Sequence, residues 1–166
     1  MNKTAIFYGS STGNTESVAK QLAKMLQADT YDVADNPINK IAEYQNLIFG
    51  TSTWGIGDLQ NDWDSFLPRL VNADLNNKVV ALFGLGDGTC YADSFIDGMG
   101  AIYNTIKNKG CRIVGFVATD GYDYESSIAE TDGKFVGLPI DEDNESDITE
   151  ERINNWIEQL KEEFNL

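Results

Sequence analysis

Four short apolar or β-branched runs, Ala5 to Tyr8, Asn46 to Gly50, Val79 to Phe83 and Arg112 to Val117, each give way to glycine or hydroxyl residues. Runs of this kind read as strands buried on both faces. Between them, apolar residues recur at helical spacing: Val18, Leu22, Met25 and Leu26, then Phe95, Met99, Ile102, Tyr103 and Ile106, with Gly110 placed to stop the second helix. Buried strands alternating with amphipathic helices constrain the chain to an α/β fold, a doubly wound parallel sheet with helices on both faces. A weaker strand near Thr30 to Val33 brings the strand count to five. Trp63, Phe66, Leu67 and Leu70 predict a short helix after the third strand, with Pro68 expected in its first turn or at a kink. The last helix is predicted with Asp147 or Thr149 as its cap, Glu150 and Glu151 at its positive end, and a buried stripe of Ile153, Trp156, Ile157, Leu160 and Phe164. From about Ala118 to Gly137 the pattern loosens, then resumes with Phe135 to Ile140, an excursion that interrupts the final strand.

The 166 residues fit one domain, 1–166, with an ordinary apolar fraction of 42%. Charge is less ordinary: 12 Lys and Arg stand against 27 Asp and Glu, a net charge of -15. Such a field repels nucleic acid and anionic membranes and favours a basic protein partner. Cys90 and Cys111 are the only cysteines, and histidine is absent, so zinc ligation, iron-sulfur clusters and a Cys-His nucleophile have no support. Two reduced thiols, no room for a leader before the first strand and no apolar run of membrane-spanning length imply a soluble cytoplasmic protein.

The first strand breaks into Gly9-Ser10-Ser11-Thr12-Gly13-Asn14-Thr15 before the first helix. Backbone N–H groups at a helix start, reinforced by the helix dipole, hold a phosphate without any cationic side chain. The hydroxyls of Ser10, Ser11, Thr12 and Thr15 add donors. A Walker A loop needs one more residue between its glycines and a lysine where Asn14 stands, which excludes triphosphate hydrolysis. An uncharged cradle suits a phosphate that anchors, so the ligand's chemistry belongs at the ends of the other strands. There the third strand runs into Ser52-Thr53-Trp54-Gly55-Ile56-Gly57 and the fourth into Leu85-Gly86-Asp87, followed by Tyr91. Each loop carries one large aromatic among small residues, and Trp54 and Tyr91 can face each other across a planar ring.

These stretches, together with Asp120-Gly121-Tyr122 and Gly133-Lys134-Phe135-Val136-Gly137-Leu138, resemble a bacterial or algal flavodoxin over nearly the whole chain. The excursion resembles the insertion of the long-chain class. The resemblance implies strand order 2-1-3-4-5, for which flavodoxin is itself the standard example, and noncovalently bound FMN at the switch point. It implies a monomeric low-potential one-electron carrier, working between semiquinone and hydroquinone and serving a flavodoxin reductase and low-potential acceptors. Carried over by position, Ser10, Ser11, Thr12, Gly13, Asn14 and Thr15 hold the phosphate. Trp54 and Tyr91 sandwich the isoalloxazine, the backbone of Leu85, Gly86 and Asp87 meets its pyrimidine edge, and Asp143 reaches a ribityl hydroxyl. Ser52, Thr53, Gly55, Ile56 and Gly57 complete the ring-binding loop, in which the Gly55-Ile56 peptide turns its carbonyl toward the flavin N5 on semiquinone formation. A neutral cradle leaves the flavin in a negative field and so a strong reductant. No catalytic acid or base and no metal is expected. An NAD(P)H-dependent quinone or FMN reductase on the same fold needs space over the flavin that Trp54 and Tyr91 block. A phospho-acceptor receiver domain needs an acidic cluster where this chain has Gly9-Ser10-Ser11 and Thr51-Ser52.

Overall fold

Side chains on successive residues of a strand point to opposite faces, so a strand apolar at every position demands two cores. The computed structural model describes residues 3–166, and Met1 and Asn2, on which the reading of the chain start partly rests, lie outside the described residues. β1 (Thr4–Tyr8) leads to α1 (Asn14–Leu26), then β2 (Asp29–Asp32) and two 3-10 turns, Val33–Asp35 and Ile38–Glu43. β3 (Asn46–Trp54), a short β4 (Asp58–Leu59) and α2 (Asn61–Val71) follow, then β5 (Val79–Leu85), a 3-10 turn Ala92–Ser94 and α3 (Asp97–Ile106). The remainder is β6 (Arg112–Val114), β7 (Val117–Ala118), β8 (Glu130–Thr131), β9 (Lys134–Phe135), β10 (Leu138–Ile140), a short α4 (Glu142–Glu145), a 3-10 turn Ser146–Ile148 and α5 (Thr149–Glu163).

The main sheet runs β10-β5-β3-β1-β2 with parallel pairing along that path. Counted by strand position this is the expected 2-1-3-4-5. β6 pairs with Val79 to Ala81 of β5, and β10 pairs with Phe83 to Leu85 of the same strand. The fifth position is therefore one strand cut in two, and residues 115–137 leave the sheet between the halves to form the small antiparallel sheet β7-β9-β8.

Alternation divides the core as the sequence demands. Ala5, Phe7, Leu47, Phe49, Val80 and Leu82 pack with Trp63, Phe66 and Leu70 of α2 and Met99, Ile102 and Ile106 of α3. Ile6, Ile48, Ala81 and Phe83 pack with Val18, Leu22 and Leu26 of α1 and Ile153, Trp156, Ile157 and Leu160 of α5. Burying each large side chain contributes about 1.5–3 kcal/mol.

Several local expectations need correction. Pro68 lies in the second half of α2, where it removes a helical donor. That costs about 3 kcal/mol, which the burial of Trp63, Phe66 and Leu70 offsets, and the helix runs through. Neither Asp147 nor Thr149 caps α5: Ile148 occupies the cap position because the turn Ser146–Ile148 runs directly into the helix. β2 covers Asp29–Asp32, since Asp32 Oδ1 accepts from Ala34 N (2.9 Å) and draws Val33 into a 3-10 turn. Phe95 precedes α3, which ends at Ile106, and Gly110 (φ 82°) serves the turn toward β6. Met25 is 43% exposed, off the buried stripe of α1. No helix among the described residues is long and apolar enough to cross a membrane.

Candidate functional site

The C-terminal ends of β1, β3 and β5 carry three loops. Gly9 N donates to Gly50 O (3.1 Å), and from there the chain turns into α1 through Gly13 at φ 96°. The Gly13 N–H donates to Ser10 Oγ (3.0 Å). Among the described residues, no protein acceptor takes a hydrogen bond from the backbone N–H of Ser11, Thr12, Asn14 or Thr15. Bare donors at the positive end of a helix of 13 residues are a seat for an anion. Behind this loop stands Gln60, buried and invisible to sequence reading: its Oε1 accepts from Asp62 N (3.0 Å) and Trp63 N (3.1 Å), and its Nε2 donates to Ser11 Oγ (3.1 Å). Gly9 has to be glycine here, because a Cβ would collide with Gln60 and come within 2.6 Å of Trp63 Cδ1.

The second loop closes on itself as the β3–β4 hairpin, with Gly55 at φ 51° and Gly57 at φ 86° between Trp54 and Asp58. Thr53 Oγ1 accepts from Gly98 N (2.8 Å), which ties the loop to the start of α3. Ser52 Oγ is buried with no partner among the described residues. In the third loop Gly86 N donates to Ile140 O (3.1 Å) and Tyr91 N to Asp87 O (3.1 Å). The N–H groups of Cys90 and then Thr89 donate to the Asp87 carboxylate (2.9 and 3.0 Å), and the first is the main cause of its lowered pKa. The same carboxylate pushes the Cys90 thiol up, away from a reactive thiolate.

Between the loops lies a cleft of about 390 Å³. It is lined by Thr12, Asn14, Thr15, Ser52, Thr53, Trp54, Gly55, Leu85, Gly86, Asp87, Tyr91 and Asp143, all expected from the sequence, and by Glu142, which was not. Ser10 and Gly13 shape the first loop from outside the lining, and Ser11 is held by Gln60. Ile56, 82% exposed, and Gly57 likewise fall outside the lining. A second cavity of about 480 Å³ involves Lys3, Met25, Leu26, Lys161 and Leu166, and none of the loop motifs reaches it.

The flavodoxin family model matches residues 6–156. This chain belongs to the flavodoxin family. It is 46% identical over 167 residues to flavodoxin from Nostoc sp., covering 99% of this chain and 98% of that one. Against flavodoxin 1 of Azotobacter vinelandii the identity is 44% over 171 residues, with 99% and 98% covered. Among solved structures, Fusobacterium nucleatum flavodoxin bound to flavin mononucleotide superposes with a TM-score of 0.92 at 35% identity, covering 98% of this chain and 99% of that one.

In this flavodoxin the inserted residues brace the loop that carries Tyr91. Glu125 N and Ser126 N donate to Ala92 O (2.8 and 3.0 Å), Ser126 Oγ donates to Asp93 O (2.7 Å), and Tyr124 stacks on Phe95. Tyr122 OH donates to Pro139 O (2.7 Å), and Arg152 lies 3.9 Å above the Tyr122 ring.

Asp143 holds its proton more tightly than an ordinary carboxyl, first through burial and then through the charges of Asp87, Asp141 and Glu142. A carboxyl whose folded pKa is raised binds more protons folded than unfolded, so stability falls as pH climbs from the ordinary carboxylate value through the raised one. The Asp143→Asn variant is therefore expected to melt above wild type near about pH 7, with the gap closing toward about pH 3, where both unfolded and folded carboxyls are protonated. Thermal melts across that range check it, and a gap that widens in acid would contradict the assignment.

Proposed function

We propose that this chain holds FMN noncovalently in the cleft and passes single electrons at low potential between redox proteins. The bare N–H groups of Ser11, Thr12, Asn14 and Thr15, opening beside a cleft large enough for a flavin, carry this reading. FMN supplies the electron-transfer chemistry when bound. The protein's own groups anchor and tune it: Thr12, Asn14 and Thr15 receive the phosphate with the N–H groups of the first loop, and the unpartnered Ser52 Oγ offers the ligand a hydrogen bond. Trp54 and Tyr91, 41% and 42% exposed, present faces for the ring to cover. Asp87, Glu142 and Asp143 line the same cleft and oppose accumulation of negative charge on the ligand, which keeps the reduced cofactor a strong donor.

The net charge of -15 and the exposed Asp58, Asp64, Asp120 and Glu125 favour partners with basic faces, met transiently by a monomer. The free thiols Cys90 and Cys111 suit a reducing cytoplasm. Titration of flavin-free protein with FMN tests the assignment, with quenching of flavin fluorescence expected to end at one FMN per chain. Absence of binding, or equal affinity for FMN and riboflavin, would refute the phosphate seat.

A further inference from the structure

The loop before Tyr91 satisfies its own donors, unlike the phosphate loop. Gly88 N donates to Asp141 Oδ2 (3.0 Å), Thr89 N and Cys90 N donate to Asp87 Oδ1 (3.0 and 2.9 Å), and Tyr91 N donates to Asp87 O (3.1 Å). Two carboxylates thus hold three consecutive residues, and the backbone carbonyl of Asp87 holds the fourth. They come from chain segments far apart, Asp87 after β5 and Asp141 after β10, and Asp141 is 2% exposed. One group joins them. Asn144 Nδ2 donates to Asp87 Oδ1 (2.8 Å) and to both oxygens of Asp141 (3.0 Å each). Carboxylates only accept, so the amide has to present its nitrogen to them. Asn144 N also donates to Asp141 Oδ1 (3.1 Å) at the start of α4.

We infer that Asn144 is the positioning residue that latches the Tyr91 loop, by bridging Asp87 and Asp141 with a single neutral amide. This rests on the reading above that Tyr91 covers the flavin ring. Without the amide, two carboxylates face each other with only backbone N–H groups and the Cys90 thiol as donors, and Glu142 and Asp143 add to the acidic surroundings. Arg152 of α5 is already bound to Glu145 (3.2 Å). Asn144→Asp keeps the shape and exchanges the bridging donor for a third negative charge. The loop should then open while these groups are ionised and re-form once they share protons. Asn144→Ala removes the bridge with no added charge, so its effect should be smaller and vary less with pH.

The test uses the full chain freed of flavin, FMN and riboflavin as probes, and amide hydrogen exchange. Near about pH 7, Asn144→Asp is expected to weaken FMN and riboflavin by the same factor, about tenfold, with the loss shrinking toward about pH 4. Exchange at Gly88, Thr89, Cys90 and Tyr91 should accelerate while amides of β3 and β5 keep wild-type protection. An unchanged affinity, a loss confined to FMN, or a loss in Asn144→Asp that varies with pH no more than the loss in Asn144→Ala would overturn the latch. Should Asn144→Asp not fold, Asn144→Ala decides by exchange alone, and wild-type rates at 88–91 overturn it. A wild-type chain that binds neither flavin would sink the cofactor reading; faster exchange at 88–91 in the variants would still support the latch, and unchanged exchange would still overturn it.

Discussion

Gly50→Ala is expected to destabilise the protein by about 3 kcal/mol, at the upper end for overpacking a core, and to lower Tm by about 6–12 °C. Gly50 lies in β3 between Tyr8 of β1 and Phe83 of β5. A Cβ built there would clash with the far end of the Phe83 ring. That ring is fully buried and meets Trp156 edge-on at 6.4 Å, so it has little room to retreat. The strain should also reach the site. Gly50 O accepts from Gly9 N (3.1 Å) and from Trp63 Nε1 (2.7 Å), contacts that tie β3 to the loop before α1 and to the start of α2. FMN affinity should therefore fall along with stability. Phe83→Leu in the Gly50→Ala background should recover part of the loss, because the two sites share one volume. Denaturant and thermal unfolding of the single and double variants check this. A Gly50→Ala protein with wild-type Tm would contradict the packing described.

Removing the ring faces should separate binding from folding. Trp54 and Tyr91 are 41% and 42% exposed, and neither stacks on another aromatic among the described residues. Trp54→Ala and Tyr91→Ala are each expected to weaken FMN by about ten- to a hundredfold, in line with the roughly 1–3 kcal/mol that stacking of a flat heterocycle on an aromatic contributes. The melting temperature of the flavin-free protein should hardly move. Fluorescence titrations and melts of the same samples give both readouts. An affinity unchanged in both variants would remove the rings from the binding site.

What the sequence revealed and what it hid follow from the range of the interactions. The glycine and hydroxyl run after β1 is legible because its geometry is local: Gly13 takes a left-handed φ and the helix start leaves its donors bare within seven residues of chain. The split fifth strand is legible because Arg112 to Val114 and Leu138 to Ile140 both carry apolar strand residues, with the pattern lost between them. The groups that tie the loops together are another matter. Gln60 finds Ser11, Asn144 finds Asp87, and Asp141 finds Gly88 across dozens of residues, and nothing in the local pattern marks these partners. Pro68 inside α2 has the same origin, since burial of Trp63, Phe66 and Leu70 outweighs local preference, and α5 lacks a side-chain cap because a 3-10 turn runs directly into it. The acidic stretch from Asp141 to Asp147, in which the resemblance singled out only Asp143, includes the buried Asp141 carboxylate that holds Gly88 in the Tyr91 loop.

The central claim is one-electron traffic through bound FMN, and an anaerobic potentiometric titration of the reconstituted protein tests it most directly. Two separate waves are expected, each with the one-electron Nernst slope of about 59 mV per decade, the second at the lower potential. A single wave at about 30 mV per decade would mean that electrons move in pairs, and the reading as a one-electron carrier would be wrong.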